Sequence, residues 1–217
     1  MVHLPQIVYL QTNTECNGHC RYCPHDDIYG FQEPHEMPME MFVNIIQWLK
    51  AQQYKGRIGF LLHYEPTLDE NLGFKLGYAK QELPYCKMEV ATNGIIDEPA
   101  LHFFDVVDRI DAGSRKEATS RAGNVRECPE IMGRARLAQP PCNVPVDTMP
   151  IAANGDVLLC CQDWRHEAVM GTAEDLTAAR IRQLHFAKKA KKLELEICRD
   201  CMAGKTAEEV GERLGRR

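Results

Sequence analysis

Three cysteines stand close together near the start of the chain, Cys16, Cys20 and Cys23, in the segment Cys16-Asn17-Gly18-His19-Cys20-Arg21-Tyr22-Cys23. Thiolates at C-x3-C-x2-C spacing converge only if the backbone loops around something, most simply a metal centre. Three ligands are one short of the four that a structural zinc or an iron–sulfur cube takes. Either His19 or His25 supplies a fourth, as in a zinc loop, or one metal atom stays open to a substrate. The open arrangement is that of an enzyme. A second thiol set lies far downstream: Cys142, Cys160 with its neighbour Cys161, and Cys198-x2-Cys201. A hairpin carrying Cys142 and Cys160, plus a C-x2-C loop, can deliver four thiolates to one centre, either an iron–sulfur cube or zinc. Cys160 and Cys161 compete, because neighbours on a strand point to opposite faces. Cys86 and Cys128 read as plain thiols.

Size and charge bound the setting. A chain of 217 residues buries a sizeable core, as one domain plus a small appendage. Lys and Arg number 26 against 31 Asp and Glu, a net charge of -5, which argues against a general nucleic-acid-binding surface. Ten cysteines behind an N-terminus without an apolar signal core favour metal ligation in a reducing compartment, expected to be the cytoplasm. No run of about 18 apolar residues suggests a membrane span.

The elements that must position these thiols follow in order. Ile7–Leu10 reads as a buried first strand, directly before the cysteine loop. Pro38 opens a helix with a stripe at Met41, Phe42, Ile45, Ile46, Trp48 and Leu49. Further strands are predicted at Arg57–Leu62, Lys87–Ala91 and Val106–Ile110, with helices at about 71–81 and from Pro99. This alternation implies a parallel sheet, whose ligands sit at the carboxyl ends of the strands. The cysteine loop, His63-Tyr64-Glu65-Pro66 and Thr92-Asn93-Gly94 all fall there. Between Ile110 and Cys142 a loop over Gly113–Asn124 and a helix around 128–137 are expected. Val144–Ile151 reads as extended, Asn154-Gly155 as a hairpin turn and Asp156–Cys161 as the returning strand. A helix over 174–190 is predicted, with Leu176, Ile181, Leu184 and Phe186 among its apolar residues and a Lys run at its end; the tail from Gly204 reads as a short amphipathic helix or a frayed end.

These segments, in this order, resemble the radical S-adenosylmethionine (SAM) superfamily. The resemblance covers the cysteine loop with Tyr22 before its last Cys, the Glu-Pro loop, the Asn-Gly loop and the downstream cysteines, that is, nearly the whole chain. It implies that Cys16, Cys20 and Cys23 hold a [4Fe-4S] cluster whose fourth iron chelates SAM. One electron then cleaves SAM to a 5'-deoxyadenosyl radical that abstracts hydrogen from a substrate. SAM contacts are implied at Tyr22, Glu65, Asn93 and Ser114. His63 and Tyr64 replace the small residues that the family carries before its Glu. The second thiol set resembles the SPASM or shorter twitch extension, which implies one auxiliary [4Fe-4S] cluster on Cys142, Cys160, Cys198 and Cys201, the Gly155-x4-Cys160 spacing favouring Cys160.

The implied fold class is α/β: residues 1–138 form a partial parallel βα barrel, truncated unless further weak strands contribute, and residues 139–217 a small β-hairpin plus helix auxiliary-cluster domain. A peptide or protein substrate is the first expectation, because an open barrel suits a large partner. A small alcohol or sugar oxidised by a dehydrogenase is the alternative. Asp163-Trp164-Arg165 is a candidate to shape the substrate entrance. A reductant such as flavodoxin or ferredoxin is implied. An iron–sulfur electron carrier or a zinc-stabilised binding module is the rival outside enzymes, and an RNA-modifying radical enzyme the rival within them.

Overall fold

The computed structural model describes residues 2–19, 23, 25, 35–109 and 142–203. Cys20, Tyr22, Ser114, Cys128, the loop over Gly113–Asn124, the helix around 128–137 and the tail from Gly204 lie outside the described residues.

Seven strands form one sheet in the order β4-β3-β2-β1-β5-β6-β7. Strands β1 (Ile7–Leu10), β2 (Arg57–Phe60), β3 (Lys87–Thr92) and β4 (Val106–Arg109) are parallel, as the alternation predicts. Helix α1 (Met39–Ala51) joins β1 to β2, and α2 (Leu72–Glu82) joins β2 to β3. The helix expected from Pro99 is a 3-10 segment, Pro99–Phe103. In α1, Pro38 at the N-cap presets the entry, and Phe42, Ile45, Ile46 and Leu49 recur at helical spacing and are all buried. They pack with Val8, Leu10, Ile58, Phe60, Met88 and Val90 in one core. Phe60 meets Phe104 edge-on, with centroids 5.2 Å apart. Burying each such side chain contributes about 1.5–3 kcal/mol. The strands alternate accordingly: Met88, Val90 and Thr92 are buried, while Glu89 and Ala91 on the opposite face are half-exposed.

Downstream, the structure corrects several expectations. Val144–Asp147 is not extended but a helical turn, α3. Pro145 suits its first turn, and the side chain of Arg180 takes the carbonyls of Pro145 and Val146. Strand β5 (Thr148–Ile151) then runs parallel to β1, so the same sheet continues into the downstream segment. Gly155, at φ +89°, turns the chain back into β6, which spans only Asp156–Leu158 instead of reaching Cys161. The sheet pattern stops because Gln183 Nε2 takes the carbonyls of Leu158 and Leu159. Strand β7 (Val169–Thr172), which carries no clear signal in the sequence, pairs antiparallel with β6.

Helix α4 (Leu176–Lys191) matches its expected span to within two residues. The buried side is Leu176, Ala179, Arg180, Gln183, Ala187 and Ala190, and Ile181 is 55% exposed. The C-x2-C segment lies on a helix, α5 (Glu196–Ala203), not in a loop. Among the described residues, no helix is long and apolar enough to cross a membrane.

Candidate active site

The carboxyl ends of β1, β2 and β3 are stitched together by polar contacts. Past β1, Met37 N–H donates to the Thr12 carbonyl (2.9 Å), and Asn13 bridges to Glu36. This closes the stem of the loop that carries Cys16 and Cys23. Glu65 N–H donates to the Glu15 carbonyl (2.8 Å), joining the β2 loop to it. Asn93 Nδ2 donates to Asn17 Oδ1 (2.7 Å), joining the β3 loop. A Cβ on Gly18 would come within 3.2 Å of Asn93 Nδ2, so a larger residue there would press on Asn93 by a few tenths of an ångström.

Glu65 is the hub of this rim. Its carboxylate is buried and accepts four hydrogen bonds. Oε1 takes Thr67 N–H (3.1 Å), Thr67 O–H (2.7 Å) and Thr92 O–H (2.7 Å); Oε2 takes Asn93 N–H (2.7 Å). Most of its capacity thus goes to fixing the loops, and Oε2 keeps lone-pair room for one more donor. Tyr64, where a small residue is usual, turns beneath the rim and donates to the Leu10 carbonyl (3.0 Å). A fully buried ion pair lies just beyond this loop, with Lys75 Nζ 2.8 Å from Asp69, and the half-exposed Glu36 carboxylate is 3.6 Å from the same ammonium.

The second thiol set comes from three places. Cys142 precedes α3, Cys160 follows β6, and Cys198 and Cys201 sit one turn apart on α5. None of the four is in a disulfide; Cys160 is buried and the others are half-buried. Burial pushes the Cys160 thiol well above its usual range, with the charges of Cys161, Asp163 and Cys201 adding. Burial likewise takes Cys198 up to about 11, with Cys142 and Asp163 adding. Cys160 is thus within electrostatic reach of Cys201 and Asp163, and Cys198 within reach of Cys142 and Asp163. A bound metal would reverse these shifts by stabilising the thiolates. Among the described residues, no three His, Cys, Asp or Glu side chains gather tightly enough for a single ion. The donor chemistry, four thiols from three segments, suits a polynuclear cluster in which each thiolate meets its own iron.

Between the rim and this thiol set lies a small, partly open cleft, lined in part by Gln11, His63, Cys161, Asp163 and His166. Cys161 faces it, whereas Cys160 is buried. His63 Nε2 lies 3.3 Å from the Cys161 carbonyl. Burial lowers the His63 pKa to about 4, the Cys161 carbonyl opposing and the charges of His25 and His166 assisting. Asp163 is raised to about 7 by burial, although the N–H groups of Ala168 and Glu167 hold it back. Trp164 is core, 2% exposed, with the Arg165 guanidinium 4.0 Å from its ring centre.

The sequence model of the radical SAM superfamily matches residues 10–113, and that of the SPASM iron-sulfur cluster-binding domain matches residues 142–202. The chain belongs to the radical SAM superfamily, as a SPASM/twitch-type member. It is a radical SAM enzyme, and its cofactors are SAM and [4Fe-4S] clusters, including an auxiliary one. A relative from Niallia circulans, named S-adenosyl-L-methionine-dependent 2-deoxy-scyllo-inosamine dehydrogenase, is 26% identical over 204 residues, covering 79% of each chain. The fold is shared with BtrN in complex with AdoMet and 2-DOIA, at a TM-score of 0.71, 21% identity and coverage of 95% of this chain and 96% of that one. BtrN in an open conformation matches at 0.69 and 22%, covering 93% and 94%. The peptide substrate expected from an open barrel finds no support in these matches.

Of the expected site residues, the structure brings Cys16, Glu65 and Asn93 to one rim, and sets Cys160 within electrostatic reach of Cys201 and Cys198 within reach of Cys142. It also reveals residues that sequence reasoning passes over: Gln11, Thr67, Lys75, His166, Arg180 and Gln183. Lys75, Arg180 and Gln183 have a readable signal, since each stands in phase with the apolar stripe of its helix. Gln11, Thr67 and His166 have none.

Proposed function

We propose that this radical SAM enzyme is a dehydrogenase that oxidises a secondary hydroxyl of a small polyhydroxylated ring to a ketone. The observation that carries this reading is that the match to the named dehydrogenase covers 79% of both chains, joined to a shared fold over nearly the full length of BtrN. The cleft supports it through its lining, since Gln11, His63, Asp163 and His166 offer the polar groups that a polyhydroxylated ring requires.

In this reading Cys16, Cys20 and Cys23 hold the SAM-binding cluster, and Cys142, Cys160, Cys198 and Cys201 the auxiliary one. When bound, these groups supply a hydrogen-abstracting radical and an electron acceptor. The protein's own work is positional. Glu65 fixes the Asn93 loop and offers Oε2 to the SAM ammonium, a charge-assisted contact. Asn93 ties SAM's rim to the cysteine loop, and Tyr22 and Ser114 complete the SAM contacts. Gln11 and His63 present polar atoms to the substrate. The division at residues 138/139 separates the SAM-binding part from the auxiliary part. A flavodoxin- or ferredoxin-like reductant feeds the first cluster, in the cytoplasm.

Anaerobic reconstitution tests this. The wild type should bind about eight irons per chain, two cubes of four. With 2-deoxy-scyllo-inosamine as the first probe, it should release 5'-deoxyadenosine and a ketone. The Cys16→Ala/Cys20→Ala/Cys23→Ala variant should lose both products. Cys198→Ala/Cys201→Ala should keep SAM cleavage and lose the ketone. A wild type that cleaves SAM but yields no ketone from any polyol ring overturns the reading.

A further inference from the structure

We infer that His63 is the proton acceptor for the substrate hydroxyl, through its Nδ1 atom. This rests on the dehydrogenase reading above and deepens it.

His63 stands where the two halves of the site meet. It lies two residues before Glu65, the hub of the SAM rim, and its Nε2 is 3.3 Å from the carbonyl of Cys161, next to the auxiliary thiol Cys160. A carbonyl only accepts, so Nε2 carries the ring proton. That leaves Nδ1 as the acceptor of the neutral imidazole. The side chain lines the cleft, with Gln11 on the β1 side and Cys161, Asp163 and His166 on the other. The titratable groups that face it are His25 from the cysteine loop, and His166, Cys161 and Asp163 from the segment after β6. His166 is less suited to the task, because its Nδ1 is engaged with Asp156 Oδ2 at 3.0 Å.

The chemistry requires such a group. Turning a secondary alcohol into a ketone first breaks the carbinol C–H bond, with the hydrogen leaving as an atom to the adenosyl carbon radical. It then breaks the O–H bond and makes the C–O bond double. The hydroxyl proton passes to His63 Nδ1. An oxidised [4Fe-4S] cluster, which Cys142, Cys160, Cys198 and Cys201 would hold, would supply the acceptor for the one remaining electron. A base placed between hydroxyl and oxidant lets proton and electron leave together, so that the substrate itself carries no charge and the positive charge moves to the His63 imidazolium.

The test compares reconstituted wild type with His63→Gln and His63→Phe, each checked for fold by circular dichroism and for full iron loading. With 2-deoxy-scyllo-inosamine, both variants should release 5'-deoxyadenosine within about threefold of wild type, while ketone formation falls about 100-fold, the usual worth of a general base. Ketone formation within about threefold of wild type in both variants overturns the proposal. Nitrogen-15 NMR of histidine-labelled oxidised holoenzyme gives a readout independent of turnover, the His63 signals being those that His63→Gln lacks. The expected result is the Nε2–H tautomer at His63, with its Nδ1 signal shifting on addition of the probe. An Nδ1–H tautomer, or a His63 Nδ1 signal that the probe leaves in place, overturns it. If the wild type makes no ketone from any polyol ring, the dehydrogenase reading has failed, and the tautomer and probe shift alone decide this one.

Discussion

The SAM rim and the auxiliary segment hold their thiols by opposite means. At the rim a buried acceptor collects donors: Glu65 gathers N–H and O–H groups from Thr67, Thr92 and Asn93. In the auxiliary segment buried donors collect acceptors. Arg180 takes the carbonyls of His3, Pro145, Val146 and Thr148, and Gln183 those of Thr148, Leu158 and Leu159. The difference follows from what each region lacks. The rim is made of loops that leave strands with N–H groups unpaired, and an anion satisfies them. The auxiliary segment is short strands and one helical turn, whose carbonyls outrun their partners, and a cation with an amide satisfies those.

The largest effect should come from removing the cationic hub. Arg180→Met keeps the bulk but leaves buried carbonyls unsatisfied, and should cost on the order of 4 kcal/mol in urea denaturation. A loss below about 1 kcal/mol would show that water replaces the guanidinium, and the contrast would collapse. Next is the anionic hub. Glu65→Gln keeps one oxygen but turns an amide N–H2 toward Asn93 N–H, a donor against a donor. It should cost about 2 kcal/mol and weaken SAM binding by at least about tenfold in equilibrium dialysis. Unchanged SAM affinity would detach the hub from the cofactor.

The two regions should also differ in how stability responds to pH. His63 has its folded pKa lowered to about 4, so its contribution is full above the unfolded value of about 6.5 and is lost as pH falls through 4. His166, also lowered by burial, adds in the same direction. Asp163 is raised to about 7, so its contribution is full below the unfolded value of about 3.9 and is lost as pH rises through 7. The two slopes oppose each other between about pH 4 and 6.5. His63→Gln should therefore make the chain lose stability on going from pH 4.5 to 6.5, and Asp163→Asn should make it gain, each by about 2 kcal/mol. Parallel slopes in the two variants would contradict the assignment. The smallest effect belongs to Ile181→Ser on the exposed face of α4, within about 0.5 kcal/mol by thermal denaturation.

The same contrast explains what is legible in the sequence. The βα alternation, the stripe Phe42-Ile45-Ile46-Leu49 and the Asn154-Gly155 turn are local patterns, and each appears where its period predicts. Apolarity alone does not mark the buried face of α4, where Ile181 is 55% exposed and Arg180 is buried. Arg180 and Gln183 are buried by carbonyls brought from His3, α3, β5 and β6, which no local window contains. Glu65 is readable as a functional carboxylate, but not as a hub, since Thr92 and Asn93 meet it only after the parallel sheet aligns the strand ends. The parallel seat of β5 beside β1 is hidden for the same reason, the register Leu10↔Ile151 spanning most of the chain.

The most direct test of the whole account is the fate of one hydrogen. With 2-deoxy-scyllo-inosamine deuterated at its carbinol carbons, the reconstituted enzyme should give 5'-deoxyadenosine carrying one deuterium atom, together with the ketone, by mass spectrometry. Ketone accompanied by 5'-deoxyadenosine free of deuterium would contradict it, as would SAM cleavage at a rate indifferent to the probe with no ketone formed.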